Sequence, residues 1–414
     1  MSVVEERVRV PRLRLWQILA VFGPGIIVQL ANTDAGCVIT AAQSGARWGY
    51  AMIVPQILLI PIVYVVQEIT VRLGIATGKG HGELIRERFG TKWAYLSVAT
   101  LFLSAIGALI TEFSGIAGVG ALFGIPRYYS VGAATLCLIV LGFTAGYRQV
   151  ERIGITVGLF ELLLIPAAIM AHPSGHALWV GLKTLPIANA SYLFLLAANV
   201  GAVVMPWMIF YQQSAVVERK LQPRHLRIER LDTGFGSILT QLIMMAVIIM
   251  TAATIGRTHP HQALNDVGQI ADALLPFIGV AGAKVIFGLA MLGASFVAAL
   301  VVSLAGAWGI GEVVGFRHSV DHTVKEAKGF YSIYALAHIA GALLVVVSIN
   351  LVSLSVDTEV MNALLLPVVL GFLLLLEAKA LPPQWRMHGL YKWVGWTLSA
   401  IVMAFGLYMG ITIV

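Results

Sequence analysis

Charge is scarce in this chain. Only 11% of its 414 residues are Asp, Glu, Lys or Arg, where a soluble domain carries about 25%. That excludes a soluble enzyme, a disordered chain and a nucleic-acid binder. Cysteine is nearly absent: Cys37 and Cys137 both stand in apolar runs and give no disulfide framework. No connector between apolar runs is long enough for an appended soluble domain. No His-Glu-x-x-His and no Gly-x-Ser-x-Gly occurs, and Gly78-Lys79-Gly80-His81-Gly82 lacks the spacing and hydroxyl of a P-loop. No small-residue cleavage site follows the charged stretch Met1 to Arg14. The first apolar run is therefore expected to be an anchoring span, not a removable signal peptide.

What is abundant is apolar length. Hydrophobic residues make up 59% of the chain, and a membrane span needs about 20 of them in a row. Eleven segments qualify: 15–46, 51–71, 93–122, 129–147, 153–171, 190–217, 233–256, 280–316, 331–350, 357–378 and 391–413. The largest connectors, 72–92, 218–232 and 317–330, are all charged. With the N-terminus placed in the cytoplasm, all but five of the 27 Lys and Arg fall on that side. The five are Arg47, Arg127, Lys183, Arg257 and Lys284. The positive-inside rule then sets the N-terminus inside and the C-terminus outside, and it accounts for the net charge of +7 without a nucleic-acid partner. Trp16, Trp48, Tyr50, Trp93, Trp179, Trp385 and Trp393 near span ends read as interfacial anchors.

Acids lie in or near the spans with hardly a base beside them: Asp34, Glu68, Glu112, Glu161, Asp357 and Glu359. A charged side chain at the bilayer centre costs at least about 2.5–3.5 kcal/mol. Each must be protonated, hydrogen-bonded, hydrated or bound to a cation. Glu68 and Glu161 read as protonated or held by backbone inside the bundle. Asp34 differs because its neighbours break the helix.

Gly23-Pro24-Gly25 and then Asn32-Thr33-Asp34-Ala35-Gly36-Cys37 interrupt the first span. Irregular backbone at membrane depth is tolerated only where it lines a cavity or site. The sixth span carries Ala202-Val203-Val204-Met205-Pro206, where Pro206 removes one backbone hydrogen bond and frees a carbonyl near Ala202. Paired interruptions at corresponding positions of two halves point to a transporter site. Asp34, Cys37, Met205 and the carbonyls of Ala31 and Ala202 surround the two breaks. Oxygen donors suit hard divalent cations and sulfur suits softer ones, so the mixed set fits Mn²⁺, Fe²⁺ or a similar ion better than Ca²⁺. His172, His176, His259 and His261 read as solvated loop residues.

These residues resemble those of the Nramp (natural resistance-associated macrophage protein) family of divalent-metal transporters. The likeness runs through Gly23-Pro24-Gly25, Asp34-x-Gly36, Gln43-x-Gly45-Ala46, Gly49-Tyr50, Arg72-Leu73-Gly74, Thr77-Gly78-Lys79 and Phe123-Gly124-Ile125-Pro126. It returns at Gly201-Ala202, Met205-Pro206 and Ser214-Ala215. The resemblance implies an all-α polytopic membrane protein with two inverted five-helix repeats, broken at helices 1 and 6, plus one extra helix. In that division one membrane domain fills 1–414, with repeat one at about 15–171, repeat two at about 190–378 and the extra helix at about 391–413. It further implies inward movement of divalent metals by alternating access, commonly with protons.

The chain departs from the family in places that matter. The family's Asp-Pro-Gly-Asn is Asp34-Ala35-Gly36-Cys37 here, so Cys37 replaces an amide ligand. Met205 matches the selectivity methionine. The histidine that follows it in the family, tied to proton movement, is Trp207, and a second histidine falls near Gln212 or Gln213. In the helix-3 Asp-x-x-Glu pair, Glu112 matches the glutamate and Leu109 replaces the aspartate. The family pairs that aspartate with arginines on helix 9, and 331–350 contains no arginine. Glu112 and Trp207 thus mark a proton or gating path that is altered or absent. The family's metal-facing glutamine of helix 10 falls near Glu359 when Pro367 is aligned. A second carboxylate there favours Mg²⁺, which prefers oxygen ligands and is carried by some Nramp-related members. Met205 and Cys37 argue for a Mn²⁺-like ion.

The expectation is a metal-ion transporter with weak or no proton coupling, in the plasma membrane of a bacterium. It has no enzymatic activity and no cofactor, the divalent ion being its cargo. The lipid bilayer is its surroundings, it acts as a monomer and it binds no nucleic acid. A Mg²⁺ transporter is the alternative, and a carrier of a small organic molecule such as an amino acid on the same scaffold is the second. A membrane-embedded enzyme or sensor lacks the constellation or output domain it would need.

Overall fold

The computed structural model describes residues 24–413. The beginning of the first apolar segment, with Arg7, Arg9, Arg12, Arg14, Trp16 and Gly23, lies outside the described residues. Among the described residues the chain is helical, with no strand. The α-helices of seven residues or more are α1 Pro24–Ala31, α2 Ala35–Trp48, α3 Ile53–Thr77, α4 His81–Phe89, α5 Thr91–Leu122, α6 Arg127–Thr144, α7 Tyr147–Gly158, α8 Leu164–Met170 and α9 Gly175–Lys183. They continue as α10 Ala190–Val203, α11 Pro206–Glu218, α12 Leu226–Ala253, α13 Leu275–Val314, α14 Lys328–Val347, α15 Leu351–Lys379 and α16 Gly389–Ile413.

Ten helical stretches among the described residues are long and apolar enough to cross a membrane, against eleven segments read from the sequence. The difference is a join. Ala35–Thr77 forms one stretch because α2 passes through a 3₁₀ turn at Gly49–Met52 into α3. Gly49, at φ 56°, ends α2 in a backbone conformation that a side chain would disfavour. The segments read as 15–46 and 51–71 therefore meet without a polar loop.

The centre of the bundle is built by helices with almost no outward face. α1, α2, α11 and the second half of α10 bury nearly every side chain, and α2 and α3 pack on α12, α10 on α15, and α5 on α13. The close approach of α10 to α15 needs Gly201: a Cβ there would stand 1.8 Å from the Glu359 carbonyl oxygen. α6 and α16 turn apolar side chains outward, among them Leu136, Val140, Ile401 and Leu407, as lipid-facing helices do.

Three expectations need correction. Glu68 is held by side chains and not by backbone. Arg72, read as a loop residue, is buried one turn along α3 and pairs with it. Arg230 Nε donates to Glu68 Oε1 at 2.8 Å and the Tyr391 hydroxyl to Oε2 at 2.9 Å. The ion pair lets α3 carry two charges and run on to Thr77, past the end read at 71. Tyr50 is only 8% exposed and donates no interfacial anchor, whereas Trp93, Trp179 and Trp393 are exposed. The connector read at 72–92 is also largely helical, since α4 fills it.

Candidate metal site

The first break falls where α1 can no longer continue. Asn32 N–H still bonds Val28 O at 2.9 Å and Thr33 N–H bonds Leu30 O at 3.0 Å. Asp34 then adopts an extended conformation (φ −63°, ψ 175°) and caps α2, its Oδ1 accepting from Cys37 N–H at 2.7 Å. This is an ordinary N-cap, except that it stands fully buried in the middle of the bundle. Ala35 N–H, which a continuous helix would give to Ala31 O, goes to Glu112 Oε2 at 3.1 Å. The Ala31 carbonyl is thereby released.

The second break follows from Pro206, which has no N–H for Ala202 O. Val204 (φ −122°, ψ 89°) and Met205 (φ −99°, ψ 142°) leave the helical region, and Pro206 opens α11 at its first position, where proline fits. The two breaks touch. Asn32 Nδ2 donates to Val203 O at 3.2 Å. The Cys37 sulfur lies 2.9 Å from Asn32 O and 3.0 Å from Ala202 O, so it bridges the two released backbones.

Glu359 reaches the same place from α15. Its Oε2 accepts from Asn362 Nδ2 at 3.0 Å, and Asn362 Oδ1 accepts from the Ser104 hydroxyl at 2.8 Å. Its Oε1 lies so close to Gly36 that a Cβ there would be 2.2 Å away. Gly36 is therefore required by the approach of a carboxylate, not only by the break. Asp34 Oδ2, Glu359 Oε1 and Asn32 Oδ1 are buried and accept no hydrogen bond. Buried polar atoms are almost always partnered, so three orphaned oxygens at one break mark a site suited to a cation. No Lys or Arg forms an ion pair with Asp34, Glu112 or Glu359 among the described residues.

Most of the residues singled out from sequence are thus together: Asp34, Cys37, Ala31, Ala202, Glu112 and Glu359, with Met205 three residues beyond Ala202 on the same break. Among the described residues no group of three His, Cys, Asp or Glu side chains is arranged to enclose an ion. The candidate donors are a mixture that includes backbone carbonyls and a thioether. Glu112 satisfies the exposed N-terminus of α2 and also accepts from the Thr111 hydroxyl at 3.1 Å. Trp207 is buried, and its Nε1 donates to the Met205 sulfur at 3.0 Å.

Some features were not read from sequence. Asn32 contributes both a bridge and an orphaned oxygen, although its position in the polar run was the available signal. His81, set aside with its glycines, is buried, and its Nδ1 lies 3.0 Å from Gln213 Oε1. Leu109 packs on Gly341 of α14, where a Cβ would stand 2.8 Å from the leucine Cβ. Buried His338 on the same helix contacts the Phe113 ring and lies 3.2 Å from the Ser303 hydroxyl. An apolar residue at 109 thus faces a helix without arginine.

Outside the breaks, a cavity of about 220 Å³ is lined by Gln43, Arg47, Asn265, Asn350, Ser353 and Asp357. Leu264 N–H donates to Gln43 Oε1 at 2.7 Å and ties the segment after α12 across α2.

Comparison with known proteins finds relatives along nearly the whole chain. A family model described as natural resistance-associated macrophage protein-like (Nramp) matches residues 25–412. A protein of Acidiphilium cryptum named divalent metal cation transporter MntH is 30% identical over 376 residues, covering 85% of this chain and 81% of its own. One of the same name from Verminephrobacter eiseniae is 29% identical over 314 residues, covering 70% and 67%. The crystal structure of the Eremococcus coleocola manganese transporter, in complex with an aromatic bis-isothiourea compound, superposes with a TM-score of 0.79 at 19% identity, covering 99% of this chain and 90% of that one. The last likeness concerns the fold.

Proposed function

Since the chain belongs to the Nramp family, we propose that it is a secondary transporter, not an enzyme, which carries divalent metal cations of the Mn²⁺ type. The ion is held by Asp34, the carbonyls of Ala31 and Ala202, Met205 and Cys37, with Glu359 completing the charge. The observation that carries this reading is the meeting of two helix breaks around orphaned Asp34 Oδ2. A doubly charged ion satisfies that oxygen and draws the Cys37 thiol off the Ala202 carbonyl. Relatives named divalent metal cation transporters support it.

Alternating access follows from the broken helices: α1 and α11 on one side, α2 and α10 on the other, rock about the ion, as inverted repeats do. The cavity beside Asp357 is the outer approach. The basic loops set the N-terminus in the cytoplasm of a bacterial cell and the C-terminus outside. Coupling to protons is weak or absent, because Leu109 and Trp207 stand where the family's route has titratable groups. The chain acts as a monomer.

One observation favours a second reading. Glu359 Oε1 faces the break unpartnered, and a second carboxylate suits Mg²⁺. Competition uptake into proteoliposomes separates the two readings. Mn²⁺ entry that resists excess Mg²⁺ and Ca²⁺, and that Asp34→Ala abolishes without loss of folding, supports the first. Mg²⁺ entry that excludes Mn²⁺ supports the second. Unchanged Mn²⁺ uptake in Asp34→Ala refutes the site.

A further inference from the structure

Far from the two breaks, a cavity of about 480 Å³ opens where the end of α3 meets the starts of α12 and α16. Arg72, Arg230, Arg386, His388, Trp385 and Tyr391 line it, and no Asp or Glu does. Among the described residues, the acid in an ion pair with these arginines is Glu68. Its oxygens are taken: Oε1 accepts from Arg72 Nε at 3.2 Å and Arg230 Nε at 2.8 Å, and Oε2 from the Tyr391 hydroxyl at 2.9 Å. Three guanidiniums thus share one paired carboxylate, which leaves two positive charges in excess. Arg386 Nε donates to Leu381 O at 2.9 Å. Among the described residues, Arg230 and Arg386 bond the protein through Nε alone, so the far ends of both guanidiniums are left for a ligand.

The same face of α3 continues away from the cavity as an apolar stripe. Leu58, Pro61, Tyr64, Glu68 and Arg72 follow one another at spacings of three or four, which places them along one side of a helix. Leu58 is 61% exposed, Pro61 is exposed and Tyr64 is half-buried. α12 forms one wall of this groove, since Gly234 packs on the Tyr64 ring, and α16 forms the other, since Gly395 packs on Val65. Both walls show apolar side chains outward: Leu231 and Phe235 on α12, Leu390 and Trp393 on α16. An exposed Trp at a span end marks the level of the headgroups. The groove is therefore apolar along the bilayer and cationic at its end.

We propose that this groove binds one anionic phospholipid, its phosphate between Arg230 and Arg386 and its acyl chains along Leu58, Pro61 and Tyr64. The guanidinium fork matches phosphate oxygens in shape and charge. Basic pockets between helices on the cytoplasmic side hold lipid headgroups in this way, and the connectors that build this one are those whose Lys and Arg place them on that side. A free phosphate offers the guanidiniums the same chemistry but leaves the stripe uncovered. A zwitterionic lipid covers the stripe but brings a cation to a site already in excess of positive charge. The bound lipid ties α3, α12 and α16 together at their ends. The site is independent of the metal site, and it stands whether or not Asp34 holds the ion.

The test uses purified full-length protein, stripped of lipid in detergent. Native mass spectrometry compares phosphatidylglycerol with phosphatidylcholine of the same acyl chains. Thermal unfolding repeats the comparison with inorganic phosphate as a third arm. Phosphatidylglycerol is retained on the order of tenfold better than phosphatidylcholine, the size expected of two basic side chains at a headgroup. It raises the Tm, and inorganic phosphate alone does not. Arg386→Gln lowers the preference several-fold, and Arg386→Lys, which keeps the charge, retains most of it. Should the Gln variant fail to fold, the unaltered chain still decides, because added NaCl screens the contact and lowers the preference. Asp34→Ala keeps the preference, so failure of the metal site is read apart from failure of this one. Equal retention of the two lipids, a Tm rise that inorganic phosphate reproduces, or a preference unmoved by Arg386→Gln or by salt overturns the proposal.

Discussion

The indole Nε1 of Trp207 donates to the sulfur of Met205 at 3.0 Å, and both side chains are fully buried. A thioether is a weak acceptor, and a hydrogen bond to it withdraws electron density from the donor that would favour soft metals. Trp207, at the position of the family's histidine, therefore acts on the thioether two positions before it.

Trp207→Phe frees that sulfur while keeping an aromatic ring. The expected outcome is a shift toward softer ions: Cd²⁺ competes with Mn²⁺ several-fold better than in the unaltered chain. The readout is the ratio of inhibition constants, which is insensitive to the amount of folded protein. An unchanged ratio would show that the bond has no bearing on selectivity.

Gly36→Ala places a Cβ 2.2 Å from Glu359 Oε1. The side chain of Glu359 can swing aside, so folding survives and the second carboxylate is lost from the break. Mn²⁺ binding measured by calorimetry should weaken on the order of tenfold, the size of one charge-assisted contact. Gly201→Ala differs, because its Cβ would meet the Glu359 backbone oxygen at 1.8 Å. Backbone cannot swing, and overpacking of this kind costs about 1–3 kcal/mol or more. Thermal unfolding of that variant in detergent should begin at clearly lower temperature.

Glu68→Ala leaves Arg72 buried without its carboxylate. Breaking a buried pair from one side costs about 3–5 kcal/mol. The double variant Glu68→Leu with Arg72→Met removes both charges and should recover most of that loss. Equal Tm values for the single and double variants would sink this account of how α3 carries its charges.

Leu109→Asp by itself should not create proton coupling. The new carboxyl would face Gly341 on a helix without arginine, where no guanidinium can pair with it. Lower thermal stability is expected, with no metal-dependent acidification of the vesicle lumen read by an entrapped dye. Acidification by the unaltered chain would contradict weak coupling from the outset.

Membrane character was legible in composition alone, and the position of both breaks in short polar and proline-containing runs. Asp34, Cys37 and Ala202 could be named because a proline and a polar run each specify a local backbone event. Glu68 could not be read correctly. Its partner Arg72 is four residues along the same helix, but Arg230 and Tyr391 come from elements far away in the chain. The depth at which α3 ends depends on all of them. Glu161 was read as protonated or held by backbone, and one sequence does not reveal that it stands in a 3₁₀ turn.

By itself the sequence determined what is local: apolar length sufficient for a bilayer, basic connectors on one side, and two places where the helical ladder must open. Those follow from hydropathy and from a missing N–H, which act over a few residues. The tertiary structure alone decided that the openings meet, that the Cys37 sulfur spans them and that Glu359 arrives opposite Gly36. Such encounters are set by packing between distant helices, and a linear order of residues does not encode distance across a bundle.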